Sequence, residues 1–288
     1  MVKVVLITGC STGIGLALAA RLANSPGAEY KVYATMRDVG KQGPLVQAAE
    51  NSINKTLLIR KLDVCQANQV EEIMKEILDT EGKIDILVNN AAFGLVCAFE
   101  KMPMEIAQNM MDTNFFGCMR SMQACIPVMK KQGYGQIINV SSCSGIFGVP
   151  FLGLYSASKF ALEGLSESLA PELNAFGINI SLIEPGPVNT PFIDTWVNIR
   201  QNLNEQVDQR TGQMVDTVAQ TIINRPMDAR QSADGVVDVI MKCIRDEKPL
   251  LRYPTAESVT NLNKRKLVDP TGQTVLDVTR GFYPIFDQ

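Results

Sequence analysis

The sequence predicts an α/β fold: a doubly wound parallel sheet in a single domain, with a helical lid over the substrate side. Three observations lead there. Apolar runs of four to seven residues alternate with longer stretches of helical periodicity, the pattern of a parallel sheet covered by helices on both faces. A glycine-rich turn joins the first apolar run to the first helix. No internal repeat, low-complexity tract or Pro/Gly-rich linker divides the 288 residues, which at about 100–200 residues per domain would otherwise allow two domains.

The expected strands are 2–7, 31–35, 56–62, 84–88, 136–140 and 179–183, each apolar on both faces as buried parallel strands are. Between the third and fourth, Val70, Ile73, Met74, Ile77 and Leu78 form the i, i+3, i+4, i+7, i+8 stripe of an amphipathic helix packed on the sheet. The methionines at 102, 104, 110, 111, 119, 122 and 129 crowd a long helical region and read as adaptable packing. After Pro185-Gly186-Pro187 the periodicity weakens, and 188–231 is expected to be the lid or specificity insertion. A helix over 232–245 and a short apolar piece at 250–253 return the chain to the body.

Composition removes several chemistries. There is no histidine, so no imidazole serves as general base, metal ligand or switch near neutral pH, and no metal site is expected. With 46% hydrophobic and 20% charged residues and a mean hydropathy of +0.05, the chain can fill a sizeable core. The net charge of -3 provides no global positive field for nucleic acid. Seven scattered cysteines (Cys10, Cys65, Cys97, Cys118, Cys125, Cys143, Cys243) read as reduced core thiols in a cytoplasmic compartment. No signal peptide or membrane span of about 20 apolar residues is present. The basic cluster Lys264-Arg265-Lys266 allows at most peripheral membrane contact.

The motifs supply the chemistry. The first strand runs into Thr8-Gly9-Cys10-Ser11-Thr12-Gly13-Ile14-Gly15, whose glycines let the backbone turn and approach a diphosphate at the helix N-terminus. The second strand ends in Met36-Arg37-Asp38. A carboxylate there suits an NAD ribose, whereas Arg37 offers a planar, permanently charged fork for a 2'-phosphate, so NADP(H) is favoured over NAD(H). Asn89-Asn90-Ala91-Ala92, Asn114 and Ser141-Ser142 follow, then Tyr155 with Lys159 four residues later. On a helix that spacing puts ammonium beside phenol, which is expected to lower the tyrosine pKa from ~10 by about 1–3 units. Without histidine, this pair is the evident acid/base.

Alone, Y-x-x-x-K is common on ordinary helices. In order with T-G-x-x-x-G-x-G, N-N-A, the Asn, the Ser and P-G, it resembles the short-chain dehydrogenase/reductase family, with its Rossmann-like fold, over residues 2–190. Thr8-Gly9-Cys10-Ser11, Ala34-Thr35-Met36-Arg37-Asp38, the run from Ala157 to Gly164, and Glu184-Pro185-Gly186-Pro187-Val188 are similar to the subgroup of 17β-hydroxysteroid dehydrogenase type 1 and photoreceptor retinol dehydrogenase. The resemblance implies that Tyr155 exchanges a proton with the substrate oxygen while hydride moves to or from the nicotinamide, and that Ser142 hydrogen-bonds the same oxygen. Lys159 would bind the nicotinamide ribose and Asn114 would position a relay water. Gly9, Ser11, Thr12, Gly13, Ile14 and Gly15 would cradle the diphosphate, Asp63 and Val64 the adenine, Asn90 and Ala91 the adenosine ribose side, and Pro185, Gly186, Val188 and Thr190 the nicotinamide. The family also implies a homodimer through the long helix and the helix bearing Tyr155. One departure is Ala92, where the family has glycine; either the loop shifts, or φ is negative and alanine is tolerated.

For substrate, Ser142, Cys143, Val149, Leu152, Tyr155, Pro187 and Phe192 are expected to line a mostly apolar pocket suited to a hydrophobic alcohol or ketone. Phe151 is expected beside them. Steroid-active relatives grip the far end of the steroid with a lid histidine that is missing here. The retinol-active relative carries C-terminal cysteines suited to lipid attachment, whereas the last cysteine here is Cys243. Retinoid, 17β-hydroxysteroid and other ketone substrates therefore stay open. Two competing readings are an extended-type sugar epimerase, whose G-x-x-G-x-x-G is not found, and an NADP(H)-binding regulator or scaffold, which typically lacks the tyrosine or lysine.

Overall fold

Seven strands, all parallel, organise the chain in this computed structural model, which describes residues 2–192, 207–224 and 230–268. In chain order they are β1 (Lys3–Ile7), β2 (Tyr30–Met36), β3 (Leu57–Lys61), β4 (Ile86–Asn89), β5 (Gly135–Val140), β6 (Ile178–Glu184) and β7 (Arg252–Pro254). Across the sheet the order is β3-β2-β1-β4-β5-β6-β7. Winding reverses between β1 and β4, so the connections leaving their C-terminal ends part and open a crevice there.

The six expected strands are all present, no end displaced by more than two residues. β4 starts late because the Gln132 side chain takes the place of a strand neighbour at Ile84, accepting from its N–H at 3.0 Å and donating to its carbonyl at 2.9 Å. The apolar piece at 250–253 becomes β7, an edge strand whose Pro254 needs no partner on the open side.

The helices are α1 (Gly13–Ala23), α2 (Gly43–Ala48), α3 (Ala67–Glu81), α4 (Met104–Met111), α5 (Gly117–Gln132), α6 (Gly153–Asn174), α7 (Gln209–Ile223), α8 (Ala233–Arg245) and α9 (Glu257–Val268). Alternation along each strand divides the core. Val5, Ile7, Val32 and Ala34 pack with Leu18 and Leu22 of α1 and Val237 and Ile240 of α8, while Val4, Leu6 and Tyr33 pack with Ile73 and Ile77 of α3, Met122 of α5 and Leu162 of α6. Each face of the sheet is thus covered, as its two-sided apolar strands require. Between α4 and α5 the helix widens into a single π turn, Asp112–Phe116.

Of the expected lid, α7 is described and buries Val215, Val218 and Ala219 in one apolar cluster with Leu152 and Tyr155; residues 193–206 and 225–229 of that segment lie outside the described residues. None of the seven cysteines is in a disulfide. Among the described residues no helix is long and apolar enough to cross a membrane. In the basic cluster, Lys266 turns toward the body, donating to the Ile146 carbonyl and lying 4.3 Å from the Phe160 ring centroid.

Candidate active site

The site gathers at the C-terminal ends of β1, β4, β5 and β6. At β1 the chain turns through residues 8–15 into α1. Thr8 Oγ1 accepts from the backbone N–H groups of Asn90 and Ala91 at 3.0 and 3.1 Å, and Asn90 Nδ2 donates to the carbonyls of Thr8 and Gly9, both at 2.9 Å. Two glycines are obligatory. Gly9 has φ +74°, and a Cβ on it would stand 2.8 Å from Ala91 Cα; at Gly15 a Cβ would come within 2.4 Å of both Gly9 O and Asn90 Nδ2. Thr12 caps α1 without a side-chain hydrogen bond, so the first N–H groups of the helix are left to an external acceptor such as a diphosphate. Ser11 and Ile14 are half-buried at this mouth and Thr12 is exposed. Thr190 reaches it from beyond β6, its Cγ2 3.2 Å from where a Gly13 Cβ would be.

Arg37 is exposed at the end of β2, whereas the Asp38 carboxylate turns back to accept from Gly40 N at 2.9 Å. After β3, Asp63 Oδ1 accepts from Cys65 N at 3.0 Å, and Val64 is buried beside Gly117. Ala92 is not among the positive-φ residues, so alanine is accommodated without strain.

α6 presents Tyr155 and Lys159 one turn apart, both buried. Lys159 Nζ donates to the Val140 carbonyl at 2.8 Å and lies 5.8 Å from the Tyr155 ring centroid. Ser142, just past β5, accepts from Ser144 N at 3.1 Å, and its hydroxyl acts to lower the phenol pKa. The expected lowering of the tyrosine pKa is corrected here. Burial dominates and pushes the Tyr155 phenol well above its ordinary value, with Ser142 pulling the other way. Burial also lowers the Lys159 pKa.

Asn114 sits fully buried in the π turn. Its Oδ1 accepts from Phe93 N at 2.9 Å, and Nδ2 donates to Phe93 O at 2.8 Å and to Ser158 Oγ at 3.0 Å. Ser158 Oγ in turn donates to the Tyr155 carbonyl at 2.7 Å. Asn114 is thus tied to the Tyr155 backbone through Ser158, which sequence reasoning missed although it lies three residues from Tyr155 on the same helix.

Around the phenol the wall is apolar. The rings of Tyr155 and Phe192 lie 5.8 Å apart at 59°, and Leu152, Val149 and Phe151 share their cluster with Leu95, Val96 and Val215. Cys143 and Val149 also meet Ile146, Phe147 and Leu262. Pro185 is buried and its carbonyl accepts from Cys143 N at 2.8 Å; Gly186 abuts Val259 of α9. Pro187 is exposed, its carbonyl taken by Gln231 N at 2.9 Å in a short pairing centred on Val188. Leu95, Val96, Val215 and Leu262 had no local signal, because they reach the wall only through tertiary packing.

Comparison with known proteins agrees with this geometry. A family described as short chain dehydrogenase matches residues 3–201. Retinol dehydrogenase 8 of Bos taurus is 42% identical over 281 residues, covering 94% of this chain and 86% of that protein. The 17-beta-hydroxysteroid dehydrogenase type 1 of Homo sapiens is 40% identical over 271 residues, covering 93% and 82%. A short-chain dehydrogenase of Streptomyces avermitilis superposes with a TM-score of 0.79 at 26% identity, over 97% of this chain and 98% of that one.

Replacing Asn114 by Ala strips partners from the Phe93 backbone and from Ser158. Urea unfolding should show a loss of about 1–3 kcal/mol; unchanged stability would mean that the brace is dispensable.

Proposed function

Because the chain belongs to the short-chain dehydrogenase family of oxidoreductases, we propose that it interconverts a hydrophobic alcohol and its carbonyl with NADP(H), Tyr155 acting as acid/base. The observation behind this reading is a buried phenol beside Ser142 and Lys159, under an apolar wall made by Phe192, Leu152 and Val215. The names of the two relatives, a retinol and a hydroxysteroid dehydrogenase, fit a bulky apolar substrate of this kind.

Gly9, Ser11, Thr12, Gly13, Ile14 and Gly15 would hold the diphosphate, since the turn leaves no room for side chains at Gly9 and Gly15 and the α1 N-terminus has no side-chain cap. Asp63, Val64, Asn90 and Ala91 would flank the adenosine, and Pro185, Gly186, Val188 and Thr190 the nicotinamide. Arg37 would take the 2'-phosphate; it is exposed at the strand end, while Asp38 is engaged with Gly40. When bound, this cofactor supplies or accepts the hydride. Tyr155, kept protonated near neutrality by burial, donates its proton to the carbonyl oxygen in the reductive direction. Ser142 hydrogen-bonds that oxygen as negative charge develops. Lys159 places a positive charge behind the phenol and stabilises the phenolate left after proton transfer. Asn114 would hold a relay water from its place in the π turn. Oxidation needs the phenolate at the outset, so its rate rises with pH.

The alternative is an NADP(H)-binding regulator without turnover. The complete set of Asn114, Ser142, Tyr155 and Lys159 favours the enzyme. The 188–231 segment acts as the lid in this reading, supported by the packing of α7 against Tyr155. Seven cysteines without a disulfide favour a reducing cytoplasm. A homodimer through α5 and α6 is supported by the exposed rings of Phe116 and Phe160 at those helices.

Tyr155→Phe keeps the ring and loses the proton. Its turnover should vanish while NADPH affinity, read by fluorescence titration, stays within about threefold, a change below 1 kcal/mol; near-normal turnover would remove Tyr155 from the reaction. Following NADPH and NADH absorbance against all-trans-retinal, estrone, other ketosteroids and aromatic ketones should reveal a hydrophobic carbonyl reduced faster with NADPH. A preference for NADH would reverse the role of Arg37, and silence across the panel with NADPH bound would favour the regulator. Sedimentation at micromolar concentration should give a dimer; a monomer would count against the α5–α6 interface.

A further inference from the structure

Below Lys159 lies a second set of charges that the reaction just described leaves unused. Glu163 follows Lys159 by one turn on the same face of α6 and is only 4% exposed. Its Oε2 pairs with Arg252 Nη1 of β7. Its Oε1 and the Ser141 hydroxyl both border the narrow space at Gly145, where a Cβ would come 3.2 Å from the carboxyl oxygen and 2.7 Å from Ser141 Oγ, and neither atom has a hydrogen-bond partner. Arg252 Nη1 also donates to Glu184 Oε1 at 3.0 Å, and Nη2 to the exposed Glu167 Oε2 at 3.0 Å. Asn263 Nδ2 of α9 donates to Glu184 Oε2 at 2.6 Å. Glu184 is fully buried and directly precedes Pro185, whose carbonyl holds the residue after Ser142. The charged groups around Glu163 are thus Lys159 and Glu167 of α6, Glu184 of β6 and Arg252 of β7; Asn263 adds an uncharged partner to Glu184.

We propose that Glu163 is a positioning residue: when ionised, it is the counter-charge that keeps Lys159 an ammonium on the Val140 carbonyl. The inference rests on the reading of Tyr155, Ser142 and Lys159 as the reacting set. Lys159 requires a counter-charge because burial lowers its pKa. Two groups act against that lowering, Cys118 and Glu163. The Cys118 thiol, pushed up to about 11 by burial, is uncharged near neutrality, which leaves Glu163. The carboxyl of Glu163 is itself held up to about 7, chiefly by burial with Glu184 adding, against the pull of Ser141 and Arg252. Its charge therefore changes in the range where the site works.

The sign of the stability effect separates positioning from scaffolding. A raised carboxyl pKa means that the fold favours the neutral form, so ionising Glu163 costs stability as pH rises from the ordinary carboxyl value through about 7. Glu163→Gln removes that cost and leaves Arg252 its bonds to Glu184 and Glu167.

The test uses the full chain with lysines carbon-13 labelled at Cε, the Lys159 resonance being assigned by its loss in Lys159→Arg. In the wild type this resonance should inflect near pH 7, reporting Glu163. In Glu163→Gln the inflection should disappear, and the Lys159 midpoint should fall by about one unit or more, a tenfold change in proton affinity. The variant should melt no lower than wild type at about pH 8, while kcat for carbonyl reduction falls and loses its limb near pH 7 with KM little changed. An identical Lys159 titration in variant and wild type, or a lower melting point with an unchanged pH profile, would overturn the inference. Should Glu163→Gln not fold, Glu163→Asp gives the same reading: a displaced inflection supports the proposal and an unmoved one overturns it. A wild-type protein that reduces no carbonyl would defeat the proposed reaction, and the Lys159 titration would still judge the role of Glu163.

Discussion

An ammonium buried at the end of a parallel strand is the interaction on which the site depends. A lone buried charge costs several kcal/mol of lost hydration unless acceptors and counter-charges surround it. Lys159 meets that demand with the Val140 carbonyl, at a height that fixes how far α6 has advanced along β5. Once the helix is registered there, Tyr155 must lie one turn nearer the crevice and Ser142 two residues beyond the accepting carbonyl. The same requirement explains the π turn. Asn114 has to reach both Phe93 and Ser158 from a helix on the same side of the sheet, and the widened turn lets one side chain span them.

Apolar packing and polar chemistry reinforce one another at this place. The cluster of Leu152, Phe192 and Val215 removes water from the phenol, which raises its pKa and also strengthens every charge interaction nearby by lowering the local dielectric. α7 is consequently more than a cover: its Val215 and Val218 belong to the apolar packing around Tyr155. On the other side of Lys159, Glu163, Glu184 and Arg252 form a compact ionic group in which each charge has an opposite neighbour.

How much of this was legible in the sequence depended on distance along the chain. The strands, α3 and the glycine turn announce themselves through patterns within some ten residues, and the structure keeps them nearly in place. Tyr155, Lys159 and Ser142 were legible because their spacing is read directly on a helix and a strand end. The direction of the Tyr155 pKa was not, since burial is created by α7 and by residues such as Leu95, which no local pattern ties to Tyr155. The pairing at Pro187 was not legible for a related reason: Gln231, which takes its carbonyl, lies 44 residues later. Arg252 lies 89 residues from Glu163, and neither advertises the other.

That last separation has a consequence for the life of the chain before it is complete. Proteins are made from the N-terminus, and β1 to β6 with α6 lie within the first 184 residues. Arg252 and Asn263 emerge later, so Glu163 and Glu184 are synthesised before the cation and amide that answer them. Long-range pairings of this kind form late because loop closure must come first. The arrival of β7 and α9 is therefore the event that brings these carboxyls the partners which balance them in the finished interior.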